Sequence, residues 1–554
     1  MSARNSLKVA SETFPTDTPF FPALWHWLTT TKYGSYALDV LCMLLLALIA
    51  GEYALNYDIT LQAIPHDTTY HIYAAQQILD GHAIYRDVAI IKAPLADFAT
   101  AFALVAARII GISDIMGTRL MSLLVAMATT SVTYLAGHVL FRSRAVGLLA
   151  GLLMAGWDFY GLRAITGPEP KAFLILFGML AFIGIARRRW VFAGICAALA
   201  TLSWQPGLMV AAIACAAALL APWLDTPNSS FRDVWRQGIK SLLRVLGGIA
   251  LPFALVIIYL GLNNALIPAW NATIGANVVH FANTQASTPL PQLVRANFAD
   301  ILADGGQYCF SPLEHQLIYA SILGFGGILI AQFVNARRSK RALLNLDQTP
   351  LILYTIGFVG FSFVDFDFCP DLFPLLPVMA LSVGWGIWML AHAAGRFAER
   401  RMHFAHASTL SAILIAAAAL WIVAVYLLDV RAYTVRGMNF QDQMDVVEVA
   451  KTYLKPGDRV LTFGNAIVLV ELHLPNAVKI VHLGSKSGLG VLASEPGGMD
   501  GMLAALDRNP PKLITLAREN FPEFSKPFYD WLAQHYDPVE EFPRANMRFF
   551  LKRQ

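Results

Sequence analysis

Between positions 66 and 92, a chain otherwise poor in charge places His66, Asp67, His71, Asp80, His82, Arg86, Asp87 and Lys92. Asp67 stands at the start and Gly81 at the end of a helical pattern over 68–80, the arrangement of an acidic N-cap and a glycine just past the last turn. Capping alone would account for Asp67. A carboxylate held at a helix start beside an apolar span is also placed to take a proton from a nucleophile. Lys92 follows two isoleucines and precedes Ala93 and Pro94 in "IIKAPL". It reads either as a lysine snorkelling to a membrane surface or as a counter-charge for a phosphate, a role Arg86 could share. His66, His71 and His82 match no metal-ligand spacing, so ordinary hydrogen bonding is expected of them, and a divalent metal is left open. A second acid, Glu169, lies between two prolines in "AITGPEPKAF". It reads either as a solvated loop acid or as a partner for Asp67 in activating a hydroxyl.

The elements that must position these groups follow from composition. Of 554 residues, 56% are hydrophobic and 14% charged, against roughly 45–50% and 25% in soluble domains, so the chain has far more apolar surface than a soluble core can bury. The expected class is an all-α polytopic membrane protein. Net charge is +4, gathered in short Lys/Arg clusters between apolar runs, where it speaks of topology and implies no nucleic-acid partner. Spans at 36–55, 115–140, 145–165, 171–186, 191–204, 207–223, 242–262, 314–334, 351–364, 371–391 and 408–428 put every basic cluster on the cytoplasmic side. These eleven spans leave the N-terminus inside and the C-terminus outside. The apolar stretch 93–110 must then not cross, because counting it would export all the clusters. With Asp97 and Arg108 it is expected as a helix lying at the outer surface. Several spans are shorter than the roughly 20 residues a lone helix needs, which suggests helices flanked by protein instead of lipid.

This threading exports 56–114, 166–170, 263–313 and 365–370, so Asp67, Lys92 and Glu169 face the same side. The loop 263–313 offers Trp270 and His280 for stacking on a substrate or for anchoring at the interface. Two domains are expected: a membrane domain over 1–429 and a small exported α/β domain over 430–554. In the latter, "DVVEVAKTYLKPGDRVLTFG" reads as helix, turn and strand, and "AVKIVHL" and "PKLITLA" as further strands.

The order of an apolar span, "HDTTYHIYAAQQILDGHAIYRDVAIIKAPL", an interfacial helix and "YGLRAITGPEPKAFLILFGMLAF" resembles the GT-C glycosyltransferases. The likeness is to the bacterial branch near protein O-mannosyltransferases and the lipid A aminoarabinose transferase. It covers about the first 200 residues well, and "FCPDLFPLLPVMALSVGWG" looks like the family's later "lPLLP" segment. What the resemblance implies is a membrane enzyme taking sugar from a polyprenyl-phosphate donor to an extracytoplasmic lipid, polysaccharide or protein by direct inverting transfer, with no required cofactor. Asp67 occupies the family's catalytic acid position, Glu169 that of the second exported acid, Lys92 that of the phosphate-binding lysine and Arg163 that of an arginine often found before the second acid. His66, Tyr70, His71 and Tyr85 are then expected among the substrate contacts. The implied location is the bacterial inner membrane, with the site and the C-terminal domain on the periplasmic face. "IKAP" in place of the aminoarabinose branch's "EKPP", and Glu where Asp is common, leave the sugar open. The competing readings are a transporter or flippase of lipid-linked sugars, whose ionisable groups would lie within spans, and a non-catalytic binding protein, which would have lost Asp67.

Overall fold

The computed structural model describes residues 31–225, 230–276, 278, 289–307, 311–339, 345–366, 369–402, 406–432, 438–481, 490–493, 495–517 and 526–553. The first half comprises α1 (Lys32–Leu55), α2 (His66–Leu79), α3 (Leu95–Ile110), α4 (Asp114–Phe141), α5 (Arg144–Ala155), α6 (Asp158–Ala164), α7 (Pro170–Ala186), α8 (Trp190–Ser203), α9 (Leu208–Asp225) and α10 (Phe231–Leu262). Then come α11 (Leu266–Trp270), α12 (Leu290–Gln307), α13 (Pro312–Ser339), α14 (Thr349–Val364), α15 (Leu376–Met402) and α16 (Ala407–Ala432). Among the described residues, seven helices are long and apolar enough to cross a membrane, or eight if α5 and α6, bent by 67°, form one broken span; α7, α8 and α14 are apolar but shorter. Each of the eleven expected spans thus coincides with a helix or with this bent pair. The short ones α7 and α8 bury Phe182, Ile185, Ala193 and Ala197, so protein instead of lipid surrounds much of their length. The loop expected over 263–313 carries two helices, α11 and α12.

Lipid is as apolar as a leucine side chain, so spans associate through close packing and polar contacts. A Cβ at Gly137 would lie 2.6 Å from Gly147 Cα, and this absence of side chains lets α4 and α5 meet backbone to backbone. At one end of the bundle Arg144 Nε and Tyr134 Oη each donate to Asp39 Oδ1 at 2.8 Å, joining α1, α4 and α5. At the other, the Tyr53 and Tyr57 hydroxyls donate to Asp158, whose backbone N–H donates to Glu314 Oε1 at 2.8 Å. That junction fixes α6, and with it the loop leading to α7.

Helix α3 starts after Pro94 and ends at Gly111, which adopts φ +76°. It buries Ala96, Asp97, Thr100 and Leu104 and exposes Phe102, Ile109 and Ile110. Its 16 residues reach about 24 Å, less than the roughly 30 Å of a bilayer core. Length and two-faced character both suit a helix lying along a surface.

The C-terminal part comprises α17 (Phe440–Tyr453), β1 (Val460–Phe463), α18 (Ile467–Leu472), α19 (Gly498–Arg508), β2 (Leu513–Ala517), α20 (Lys526–His535), β3 (Tyr536–Phe542) and β4 (Met547–Lys552). Its sheet has the order β1-β2-β4-β3, parallel between β1 and β2 and antiparallel elsewhere. "PKLITLA" is β2 as expected. "AVKIVHL" is not a strand as far as Val481, beyond which it lies outside the described residues. Its backbone instead braces its neighbours, Ala477 N–H bonding Val460 O at 2.8 Å and Lys479 O accepting from Ala89 N–H at 2.9 Å. The apolar core of this part is continuous with Ile64, Tyr70, Ile72, Tyr73, Ile84 and Ile90 of the first exported stretch. Gln443 bonds both the N–H and the C=O of Ile64 at 2.8 and 2.7 Å, Ala466 N–H donates to Thr69 Oγ1 at 3.0 Å, and Asn476 N–H donates to Tyr73 Oη at 2.9 Å. Gln443, Ala466 and Asn476 thus clasp α2 from the C-terminal part.

Candidate active site

Helix α2 begins at His66, with Pro65 as its N-cap and no side-chain cap bond. Asp67 is therefore not the N-cap expected from the sequence. Pro65 holds the extended φ/ψ of a cap, and Asp67 falls in the first helical turn. There it accepts from Lys92 Nζ at 3.0 Å and lies 3.3 Å from His66 Nε2. The pair is open to a ligand, Asp67 being 46% and Lys92 22% exposed.

Lys92 is held by the backbone on either side of its side chain. Tyr85 Oη donates to Lys92 O at 2.8 Å, Gln205 Nε2 donates to Ile91 O at 2.8 Å, and the Tyr70 hydroxyl donates to Ala89 O. Burial, reinforced by the Asp97 carboxylate, pushes both phenols well above their ordinary range, so they stay neutral donors. Tyr85 reaches this position with φ +68°, a left-handed conformation uncommon for a bulky side chain. Burial acts to lower the Lys92 pKa, but the carboxylates of Asp67, Glu169 and Asp371 outweigh it and hold the ammonium above its usual range. Lys92 is thus a cation at neutral pH, set among three acids from three separate connections.

Glu169 is the N-cap of α7, accepting weakly from Lys171 N at 3.4 Å, with Pro170 at the first helical position. A close approach brings its loop onto α2: Gly167 has φ +134°, and a Cβ there would lie 2.4 Å from Thr68 Cγ2. Only glycine lets the 166–170 connection touch the turn that carries Asp67. Arg163 lies 5.2 Å over the Phe159 ring and lines a narrow cleft together with Glu169, Tyr160 and Phe373. Lys171 Nζ bonds Asp371 Oδ1 at 2.6 Å, both about nine-tenths buried, and sits 4.8 Å over the Trp204 ring.

From this cluster opens a groove of about 970 Å³ between α9, α10, α12 and α14. Ala93 and Pro94, directly after Lys92, line it together with Tyr85, Trp204 and Gln205. Phe253, Val256, Leu260, Leu293 and Phe361 continue it among the membrane helices. Its lining is largely apolar, with Asp365 as its charged member.

Other expected site residues lie elsewhere. Arg86 is committed to a two-pronged bond with Asp87 at 2.9 and 2.7 Å and to Asn263 O at 2.7 Å. Trp270 is 62% exposed, while its neighbours Ala269 and Thr273 line the groove. His280 lies outside the described residues. His71, one turn after Asp67, is buried and bonds the fully buried Asp97 through Nδ1 at 2.7 Å. Among the described residues no group of three or more His, Cys, Asp or Glu side chains is placed to hold a metal ion.

Lys171, Asp371, Trp204 and Gln205 escaped the sequence reading. The first two border the exported connections 166–170 and 365–370, so sharing a side was the available signal. Nothing in the local pattern distinguishes Trp204 and Gln205 from an ordinary helix end.

No family model and no curated protein matches the sequence. Among solved structures, the chain is similar to ArnT of Cupriavidus metallidurans bound to undecaprenyl phosphate, at 13% identity and TM-score 0.49 over 94% of this chain and 98% of that one. It is also similar to the archaeal oligosaccharyltransferase AglB of Archaeoglobus fulgidus in complex with an inhibitory peptide and a dolichol-phosphate, at 12% identity and TM-score 0.52 over 95% of this chain and 75% of that one. The likeness to AglB carries the fold: the architecture is that of the GT-C membrane glycosyltransferases.

Proposed function

We propose that the protein is a glycosyltransferase of the bacterial inner membrane that takes a sugar from a polyprenyl-phosphate donor and passes it, with inversion, to an acceptor on the periplasmic face. The observation that carries this reading is the junction of a lysine–aspartate pair with a long apolar groove. Lys92 and Asp67 stand 3.0 Å apart, and the two residues after Lys92 open directly into the groove. A polyprenyl phosphate has the same two-part character, a charged head on a long apolar tail. AglB, which shares the fold, was solved with such a lipid.

In this reading the tail occupies the groove and the phosphate meets Lys92. Asp67 takes the proton of the acceptor hydroxyl or amine as that atom bonds to the anomeric carbon. The bond from the anomeric carbon to the phosphate oxygen breaks, and its electron pair stays on the phosphate, which leaves as an anion needing no proton. Glu169, close to α2 through Gly167, is placed to orient sugar or acceptor hydroxyls. The low-dielectric rim strengthens each charged contact. Arg86 is already bonded to Asp87, so the phosphate role rests on Lys92.

The test is direct. Purified protein in nanodiscs is given polyprenyl-phosphate sugars with a labelled sugar, together with envelope lipid, polysaccharide or protein acceptors. Label transfer with stoichiometric release of polyprenyl phosphate is expected. Donor binding without either product across a broad panel of sugars would point to a binding protein, and donor movement across the bilayer without cleavage to a flippase.

A further inference from the structure

Lys171 is used by nothing so far described, yet it is a largely buried lysine that packs against the lining of the groove. Three contacts place it there. It lies over the ring of Trp204, a groove-lining residue. The next residue, Gln205, also lines the groove and holds Ile91, the neighbour of Lys92. Its partner Asp371 is near enough to act on the Lys92 charge. Two lysines, each held by an aspartate, thus lie next to groove-lining residues: Lys92 before Ala93 and bonded to Asp67 at 3.0 Å, and Lys171 over Trp204 and bonded to Asp371 at 2.6 Å.

The two pairs meet different fates during transfer. The donor is a phosphodiester carrying one negative charge; the departing polyprenyl phosphate is a monoester carrying close to two at neutral pH, its second pKa being about 6. As the new bond forms, Asp67 gains the acceptor's proton and loses its charge, while the phosphate gains one. One negative charge therefore moves from Asp67 to the phosphate, and Lys92 exchanges one anionic partner for the other. Asp371 takes part in no proton transfer, so Lys171 remains a cation held in place beside a phosphate whose charge has just risen.

Resting on the transferase reading above, we propose that Lys171 is a second phosphate-facing cation, held in reserve by Asp371 and drawn onto the monoester product, so that the site distinguishes the dianionic product from the monoanionic donor. Lys92 serves both ligands. Lys171 serves the extra charge, and Asp371 competes for it so that the product can leave.

The experiment measures binding of farnesyl phosphate, a monoester, and farnesyl methyl phosphate, a diester, to the full chain in zwitterionic nanodiscs at pH 8 and pH 5. The wild type is expected to prefer the monoester at pH 8 and to lose that preference at pH 5, where the monoester carries a single charge. Lys171→Met should cut the preference at pH 8 by roughly tenfold, the order of one hydrogen bond to a charged group, and change diester affinity by less than about threefold. Lys171→Arg should restore part of the preference. Asp371→Asn, which frees the lysine, should tighten monoester binding at pH 8, and it decides the matter if Lys171→Met does not fold. A Lys171→Met protein with the wild-type preference, or an Asp371→Asn protein that binds the monoester no better than wild type, would overturn the proposal. Lys92→Met separates this result from the parent reading. It should weaken both ligands alike, and if it weakens neither, the phosphate site itself is misplaced.

Discussion

Replacing Asp67 by Asn keeps the side chain's size and removes its ability to accept a proton. The structural cost is bounded by what Asp67 touches. Its ion pair with Lys92 is half-exposed on the aspartate side, and such pairs contribute about 0–1 kcal/mol. Its charge in the first turn of α2 adds about 0.3–1 kcal/mol through the helix dipole. Pro65 caps the helix without side-chain help, so no capping bond is lost. Together these amount to at most about 2 kcal/mol, within what a folded domain tolerates. A general base contributes about 10²–10⁴ in rate, equivalent to about 2.7–5.4 kcal/mol of transition-state stabilisation. Asp67→Asn should therefore fold, bind donor and turn over about 10²–10⁴ times more slowly, measured as polyprenyl phosphate released under saturating donor. The Glu169 and Asp371 carboxylates that favour the Lys92 ammonium remain in the variant, so loss of donor affinity should be smaller than loss of turnover. A folded Asp67→Asn protein that transfers sugar within a few-fold of wild type would refute the assignment and leave Glu169 as the better base.

The other predictions can be read with simple assays. Lys92→Ala should weaken donor binding and slow transfer, while Lys92→Arg keeps part of both because charge survives but reach changes. Because the folded pKa of Lys92 is raised above 10.5, the stability it contributes is fully present below that value and is lost as pH rises through the folded pKa; donor affinity should likewise decline only as pH rises through that raised value. Gly167→Ala should lower thermal stability by about 1–3 kcal/mol, and Thr68→Ser, which removes the clashing methyl, should recover part of this while the φ +134° strain persists. In cells, cysteine placed at Ser143 should label only from the cytoplasm and at Asp500 only from the periplasm; the reverse at either position would overturn the topology.

The helices were legible because long apolar runs and basic clusters are dense, redundant signals, and a shift of several residues in any boundary leaves the thread unchanged. The short spans α7 and α8 could be seen to need protein cover from their length alone. The site was legible where it lay within one stretch of chain: Asp67 lies in the first turn of α2, and Lys92 follows in the connection after that helix. Asp67 was assigned the wrong helix position because an aspartate before a helical run is a common cap, and the rarer case of proline as cap gives no competing signal. Lys171, Asp371 and Trp204 were missed because they meet only when the start of α7, the residue after α8 and the turn before α15 converge. The strand expected at "AVKIVHL" failed for a related reason: Ile480 and Val481 are buried in the core shared with α2, and the backbone bonds of Ala477, Lys479 and Val481 go to Val460, Ala89 and Gly464 instead of to a ladder.

The clasp on α2 also sets an order of events during synthesis. The bonds from Gln443 to Ile64, Ala466 to Thr69 and Asn476 to Tyr73 span 379, 397 and 403 residues. At about 5–20 residues per second, the ribosome needs roughly 20–80 s after making Asp67 before the segment that braces its helix emerges. Throughout that interval the nascent chain is threaded through the bilayer with its acid and its lysine unbraced. Helix α2 is thus braced only once residues 443–476 have been made, and a chain broken off before Gln443 lacks all three of these bonds.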